Sequence, residues 1–91
     1  MRKFARKDDN HTEICNTLKS LGFSILDLSS VGGGCPDFLA GKYGQNWLFE
    51  VKIPGGKLRP DQITFKDSWR GNVHTITSVD DALAILRIAA S

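Results

Sequence analysis

The chain has 91 residues and carries 12 lysines and arginines against 10 acids, a formal net charge of +2. That length suits one domain spanning residues 1–91, with a core small enough that a partner subunit would help to stabilise it. Hydrophobic residues make up 41% of the chain, which excludes a disordered polyelectrolyte, and no apolar run approaches the ~20 residues of a membrane span.

The first basic cluster, Arg2, Lys3, Arg6 and Lys7, leads into no apolar signal-peptide segment. Residues 8–21 then read as a helix stopped by Gly22. Asn10, Ile14, Thr17, Leu18 and Leu21 fall on one stripe, with Glu13 on its flank. The Asn10-x-x-Glu13 spacing leaves two roles open for Glu13, a capping box or a reach toward a site. His11 is placed to contact phosphate, but the favoured reading is a solvated helix-start histidine. Residues 23–28 form a strand, followed by a glycine-rich loop over 29–35. The loop lacks the Gly-Lys-Ser/Thr ending of a phosphate-binding P-loop.

Residues 37–42 and the run ending in Glu50-Val51-Lys52 read as a hairpin around Gly41, Gly44 and Asn46. Alternation puts Trp47, Phe49, Val51 and Ile53 on one face and Leu48, Glu50 and Lys52 on the other. Asp37 and Glu50 then converge beside Lys52. Two such carboxylates need neutralising, and a divalent cation with oxygen ligands does that. An isolated Glu-x-Lys is also the pattern of a solvated charge pair.

Residues 54–59 form a basic loop with Lys57 and Arg59, suited to phosphate oxygens. A second helix starts at Pro60 and stops at Gly71, with Gln62, Phe65 and Trp69 on one stripe facing the sheet. Residues 73–77 form a strand, and Ser78 caps a last helix. That helix is apolar over more than one face, which favours a homodimer unless the sheet and first helix cover it. Cys15 and Cys35 show no framework spacing, which places the chain in a reducing, cytoplasmic setting. With His11 and His74 they fit no familiar zinc pattern. The order helix, three strands, helix, strand, helix is that of an α/β or α+β sandwich.

The ordered set Gly34-Cys35-Pro36-Asp37, Glu50-Val51-Lys52, residues 54–58 and Gln62 resembles the PD-(D/E)XK nuclease superfamily and, within it, the VRR-NUC family. The likeness covers nearly the whole chain, and Glu13 stands where that family carries a further acid. It implies a restriction-endonuclease-like core, a small mixed sheet flanked by helices.

The resemblance implies hydrolysis of DNA phosphodiesters with Mg²⁺ or Mn²⁺. Asp37, Glu50 and the Val51 carbonyl would hold the ion, and Glu13 a second ion or its water. Lys52 would orient water or offset charge on the phosphate, and Gln62 would position Lys52 or the water. Lys57, Arg59, Gly33, Gly34, Lys66, Arg6 and Lys7 are the expected DNA contacts. Standalone members, often from phages and so active in a host cytoplasm, resemble Holliday-junction resolvases. A C2 dimer would match the two-fold character of a four-way junction. The alternatives are a flap, nicking or exonuclease on the same site, and a catalytically silent DNA-binding module.

Overall fold

The computed structural model describes residues 9–90 and the side chains of residues 10–87. Arg6 and Lys7, expected at DNA, lie outside the described residues. The elements are α1 (Asp9–Ser20), β1 (Ser24–Asp27), β2 (Phe38–Lys42), β3 (Gln45–Val51), α2 (Pro60–Ser68), β4 (Val73–Ile76) and α3 (Val79–Ala90). They form a small α/β fold with one four-stranded mixed sheet, ordered β1-β2-β3-β4. The first three strands are antiparallel, and β4 joins β3 in parallel after the α2 crossover. Among the described residues no helix is long and apolar enough to cross a membrane.

Register sorts the side chains onto two faces. Ile25, Ala40 and Trp47 align across three strands, as do Phe38, Phe49 and His74. This face packs with Ile14 and Leu18 of α1 and Ala82 and Leu86 of α3 in one core. The breadth of apolar surface on α3 is thus partly used inside the domain, where Ala82 and Leu86 are buried. Leu26, Leu39, Leu48 and Val73 form a row across the opposite face. α2 lies over the Glu50 end of that face, where Gln62 and Phe65 enclose a small cavity with Val73 and Thr75.

The end of α1 follows its glycine. The Gly22 N–H donates to the Lys19 carbonyl and the Phe23 N–H to the Leu18 carbonyl, both at 3.0 Å. Gly22 has φ +93°, so this is a Schellman stop that satisfies two orphan carbonyls. Leu21, read as part of the buried stripe, is exposed because the helix has already ended. Ile53 is exposed for the same reason, since β3 stops at Val51.

Trp69 also departs from the sequence reading. α2 ends at Ser68, not at Gly71, and Trp69 takes an extended conformation with ψ 125°. Its ring leaves the helical stripe, stacks on Phe65 at 5.3 Å and 14°, and stays half-exposed. Gly71 serves by its size: a Cβ there would meet the Trp69 indole nitrogen at 3.0 Å. Ser78 does cap α3, its Oγ accepting the Asp81 N–H at 3.1 Å.

Candidate active site

Asp37 stands immediately before β2. Its N–H donates to the Phe49 carbonyl at 2.9 Å, although Phe49 already pairs with Phe38. Two successive residues oppose one, the count of a β-bulge, a feature that re-aims side chains at strand ends. Asp37 Oδ2 accepts the Val51 N–H at 2.7 Å. The N–H and C=O of one strand residue point the same way, so the Val51 carbonyl also lies toward Asp37.

Glu50 faces away from the main core yet is only 4% exposed. Its carboxyl group is pushed up to about 8. Burial is the largest cause; a hydrogen bond with the Asp37 carboxylate and that group's charge add to it, while Lys52 and Arg59 oppose it. Burial and the neighbouring Asp37 charge thus favour the protonated form of the Glu50 carboxyl.

Gln62 closes the other side. Its Nε2 donates to Glu50 Oε2 at 3.0 Å, and its Oε1 accepts the Arg59 N–H at 2.8 Å. Both ends of the amide are fixed, and its partner is Glu50, whereas the sequence reading aimed it at Lys52 or a water. Lys52 follows β3, continuing the ladder through its N–H to the Ile76 carbonyl at 2.9 Å.

These groups line a polar cavity of about 290 Å³ with Asp37, Glu50, Val51, Lys52, Arg59 and Gln62 in its wall. Gly33 and Gly34 contribute from the loop. Gly34 is packed so tightly that a Cβ would sit 2.1 Å from the Asp61 carbonyl oxygen. Backbone lies against backbone there, locking the loop to the start of α2. Cys35 also lines the cavity, and burial together with Glu50 and Asp37 pushes its thiol up, away from a reactive thiolate.

Not every expected residue converges. Glu13 is exposed and does not line the cavity. Lys57 is exposed in its loop outside that wall. Lys66 donates to Thr75 Oγ1 at 3.2 Å. The capping-box reading of Asn10 gives way to another role, because Asn10 lies inside α1. Its Nδ2 donates to the carbonyls of Lys52 at 3.1 Å and Thr77 at 3.3 Å.

His11 is the residue that the sequence reading misplaced. It is 5% exposed, not solvated, and lines the cavity. Its ring lies 5.8 Å from that of Phe38 at 30°. The signal was present in the spacing: His11 precedes Ile14 and Leu18 on the stripe that enters the core.

The donor chemistry fits a hard cation. Two carboxylates and a neighbouring backbone carbonyl are all oxygen, the set that suits Mg²⁺ or Mn²⁺. Among the described residues no group of three or more His, Cys, Asp and Glu side chains is placed to hold a metal. The protein would thus fill part of a coordination shell, as is usual for Mg²⁺, which keeps several waters.

Fold and site together define a small α/β domain with a paired-carboxylate centre. The chain matches no protein-family model, no curated protein and no solved structure.

Proposed function

We propose that this chain is a metal-dependent nuclease of the PD-(D/E)XK superfamily, of VRR-NUC type with a restriction-endonuclease-like core, that hydrolyses phosphodiester bonds in DNA. The observation that carries the reading is the convergence of Asp37 and Glu50 in one polar cavity also lined by Lys52, with Asp37 Oδ2 held by the Val51 N–H and Glu50 Oε2 by Gln62. Carboxylates so close are unfavourable for folding alone, and a bound cation would relieve them.

Asp37, Glu50 and the Val51 carbonyl would hold Mg²⁺ or Mn²⁺. When bound, the ion supplies charge neutralisation at a phosphate and activation of water. Lys52 brings positive charge to where negative charge develops on the phosphate. Gln62 fixes the Glu50 carboxyl through Nε2. Arg59 lies in the same wall and pairs with phosphate oxygens.

The preferred substrate in this reading is branched DNA, cut by a homodimer in the manner of a Holliday-junction resolvase. Leu26, 57% exposed beside the half-buried Leu39 and Leu48 on the face opposite the core, is apolar surface that a second copy would cover. Single-stranded, duplex, flap and four-way-junction DNA, each with Mg²⁺, Mn²⁺ or chelator, test the reading beside Lys52→Ala. Paired symmetric cuts in the junction, abolished in the variant, are expected. Cuts confined to flaps or ends would replace the resolvase with another nuclease. Tight binding without cleavage would leave a DNA-binding module.

A further inference from the structure

A second cavity lies at the other end of β3 and takes no part in the chemistry above. It encloses about 680 Å³, within the ~300–1,000 Å³ of small-molecule sites. Trp47, Trp69 and His74 bring rings to its wall, and Gln45, Asn46 and Asn72 bring exposed amides. No carboxylate, lysine or arginine lines it among the described residues. His74 adds no charge, because burial and the nearby Lys66 hold its pKa below the ordinary value. Such a wall offers little to a phosphate or a cation. It suits a neutral planar group with hydrogen-bonding edges.

The ring that such a group would meet is held ready. α2 stops at Ser68, and Trp69 turns out in an extended conformation. Phe65 backs its indole at 5.3 Å and 14°, and 48% of the residue stays exposed. Gly71 keeps the indole edge clear, since a Cβ there would crowd Nε1 at 3.0 Å. On the strand side the sheet edge is open. β4 begins opposite Leu48, so Asn46 has no β4 residue beside it. The Lys52 N–H points to β4, and strand alternation sends the N–H and C=O of Asn46 the same way. A donor and an acceptor side by side complement the edge of a base.

Two elements join this cavity to the acid pair. β3 carries Asn46 and Glu50, roughly 13 Å apart at ~3.3 Å per residue. α2 carries Gln62 at Glu50 and ends at the cavity, with Lys66 exposed between. A strand with one phosphate at the acid pair passes Lys66 and reaches the cavity within a few nucleotides.

We propose that this cavity takes one unpaired base of the DNA strand, stacked on Trp69 with its edge against Asn46. The proposal rests on the nuclease reading for the source of the base. It supplies that reading with a means of selecting DNA that is not fully paired, because a base inside a duplex must first be unstacked to enter.

The test uses fluorescein-labelled forked DNA with a thymine arm. Beside it stands the same fork with abasic residues along the arm, which keeps the phosphates and removes the bases. Anisotropy in chelator gives affinity, thermal unfolding gives stability, and sedimentation gives the oligomeric state. Stacking of one base on an aromatic ring corresponds to about 5- to 150-fold in affinity. Wild type should prefer the thymine fork by that factor. Trp69→Ala should lose the preference yet bind the abasic fork as wild type does, and Trp69→Phe should keep most of it. Equal affinity of wild type for the two forks overturns the proposal and leaves the nuclease reading to the cleavage assay. So does a Trp69→Ala protein that weakens equally on both. Dissociation of a dimer in Trp69→Ala, with base preference unchanged, assigns the cavity to a second copy and also overturns it. Base-dependent binding without cleavage in Mg²⁺ or Mn²⁺ removes the nuclease reading and keeps the cavity assignment. A wild-type protein that binds no DNA overturns both. Should Trp69→Ala fail to fold, Trp69→Phe against Trp69→Leu decides: loss in leucine alone supports the proposal, and the same preference in the two overturns it.

Discussion

Gln62 joins Glu50 to the start of α2: its Nε2 holds Glu50 Oε2 at 3.0 Å while its Oε1 takes the Arg59 N–H at 2.8 Å. A side chain clamped at both ends fixes the carboxyl it touches. Partners of this kind contribute about 10- to 100-fold to metal affinity. Gln62→Leu should therefore weaken Mn²⁺ binding by about tenfold or more, read by calorimetry. Unchanged affinity in a folded variant would show that Glu50 needs no such support.

The pH dependence follows from Glu50. Its folded value is raised to about 8 from an ordinary 4.5. The folded state therefore binds more protons than the unfolded state between those values, and stability falls as pH rises through that window. In chelator the denaturation midpoint should drop between pH 5 and pH 8. Glu50→Gln, which carries no charge to bury, should flatten the slope. A cation held by the Glu50 carboxylate must displace that group's proton, so Mg²⁺ affinity should rise over the same range with release of protons.

Asp37→Asn and Lys52→Ala test the chemistry itself. Asparagine retains an oxygen for the Val51 N–H, so the bulge should persist. Both variants should fold, and both should lose cleavage by at least about 100-fold if they act as proposed. Wild-type rates in either, with clean metal dependence, would remove that residue from the site.

Gly34→Ala should be severe. The added Cβ meets the Asp61 carbonyl at 2.1 Å, and φ is +79°. Backbone cannot yield as a side-chain tip does, so a loss of about 2–4 kcal/mol is expected in denaturant unfolding. A loss under about 0.5 kcal/mol would mean that the loop moves freely from α2.

Tyr43 offers the opposite effect. It lies at φ +57° beside Gly44 in the two-residue turn between Lys42 and Gln45. Asparagine is favoured at that place in a hairpin. Tyr43→Asn should stabilise by about 0.5–1 kcal/mol, unless the Lys42 ammonium, 5.0 Å from the Tyr43 ring, contributes as much.

Local signals carried most of the fold. Gly22, Pro60 and Ser78 are chemical punctuation, and the helices begin or end beside them. Alternation along β3 placed Phe49 and Glu50 on opposite faces because strand geometry leaves no other choice. The convergence of Asp37 and Glu50 was legible for the same reason: a hairpin's register is set by its turn. Relations between distant elements were not legible. Whether Gln62 meets Glu50 or Lys52 depends on how far α2 slides along the sheet, and no spacing encodes that. The burial of His11 and the turning-out of Glu13 depend on the rotation of α1, which Asn10 sets through carbonyls distant in the chain. Trp69 left its stripe because the helix stopped early, and boundaries are where sequence patterns are weakest.

The clasp made by Asn10 has a bearing on biosynthesis. One amide in the first helix holds both the tail of β3 and the residue after β4. A ribosome-bound chain that has released only the acidic pair still lacks the second anchor of α1. The cavity wall containing His11 therefore closes only after Thr77 has emerged, which would delay maturation of the centre until the fold is nearly whole.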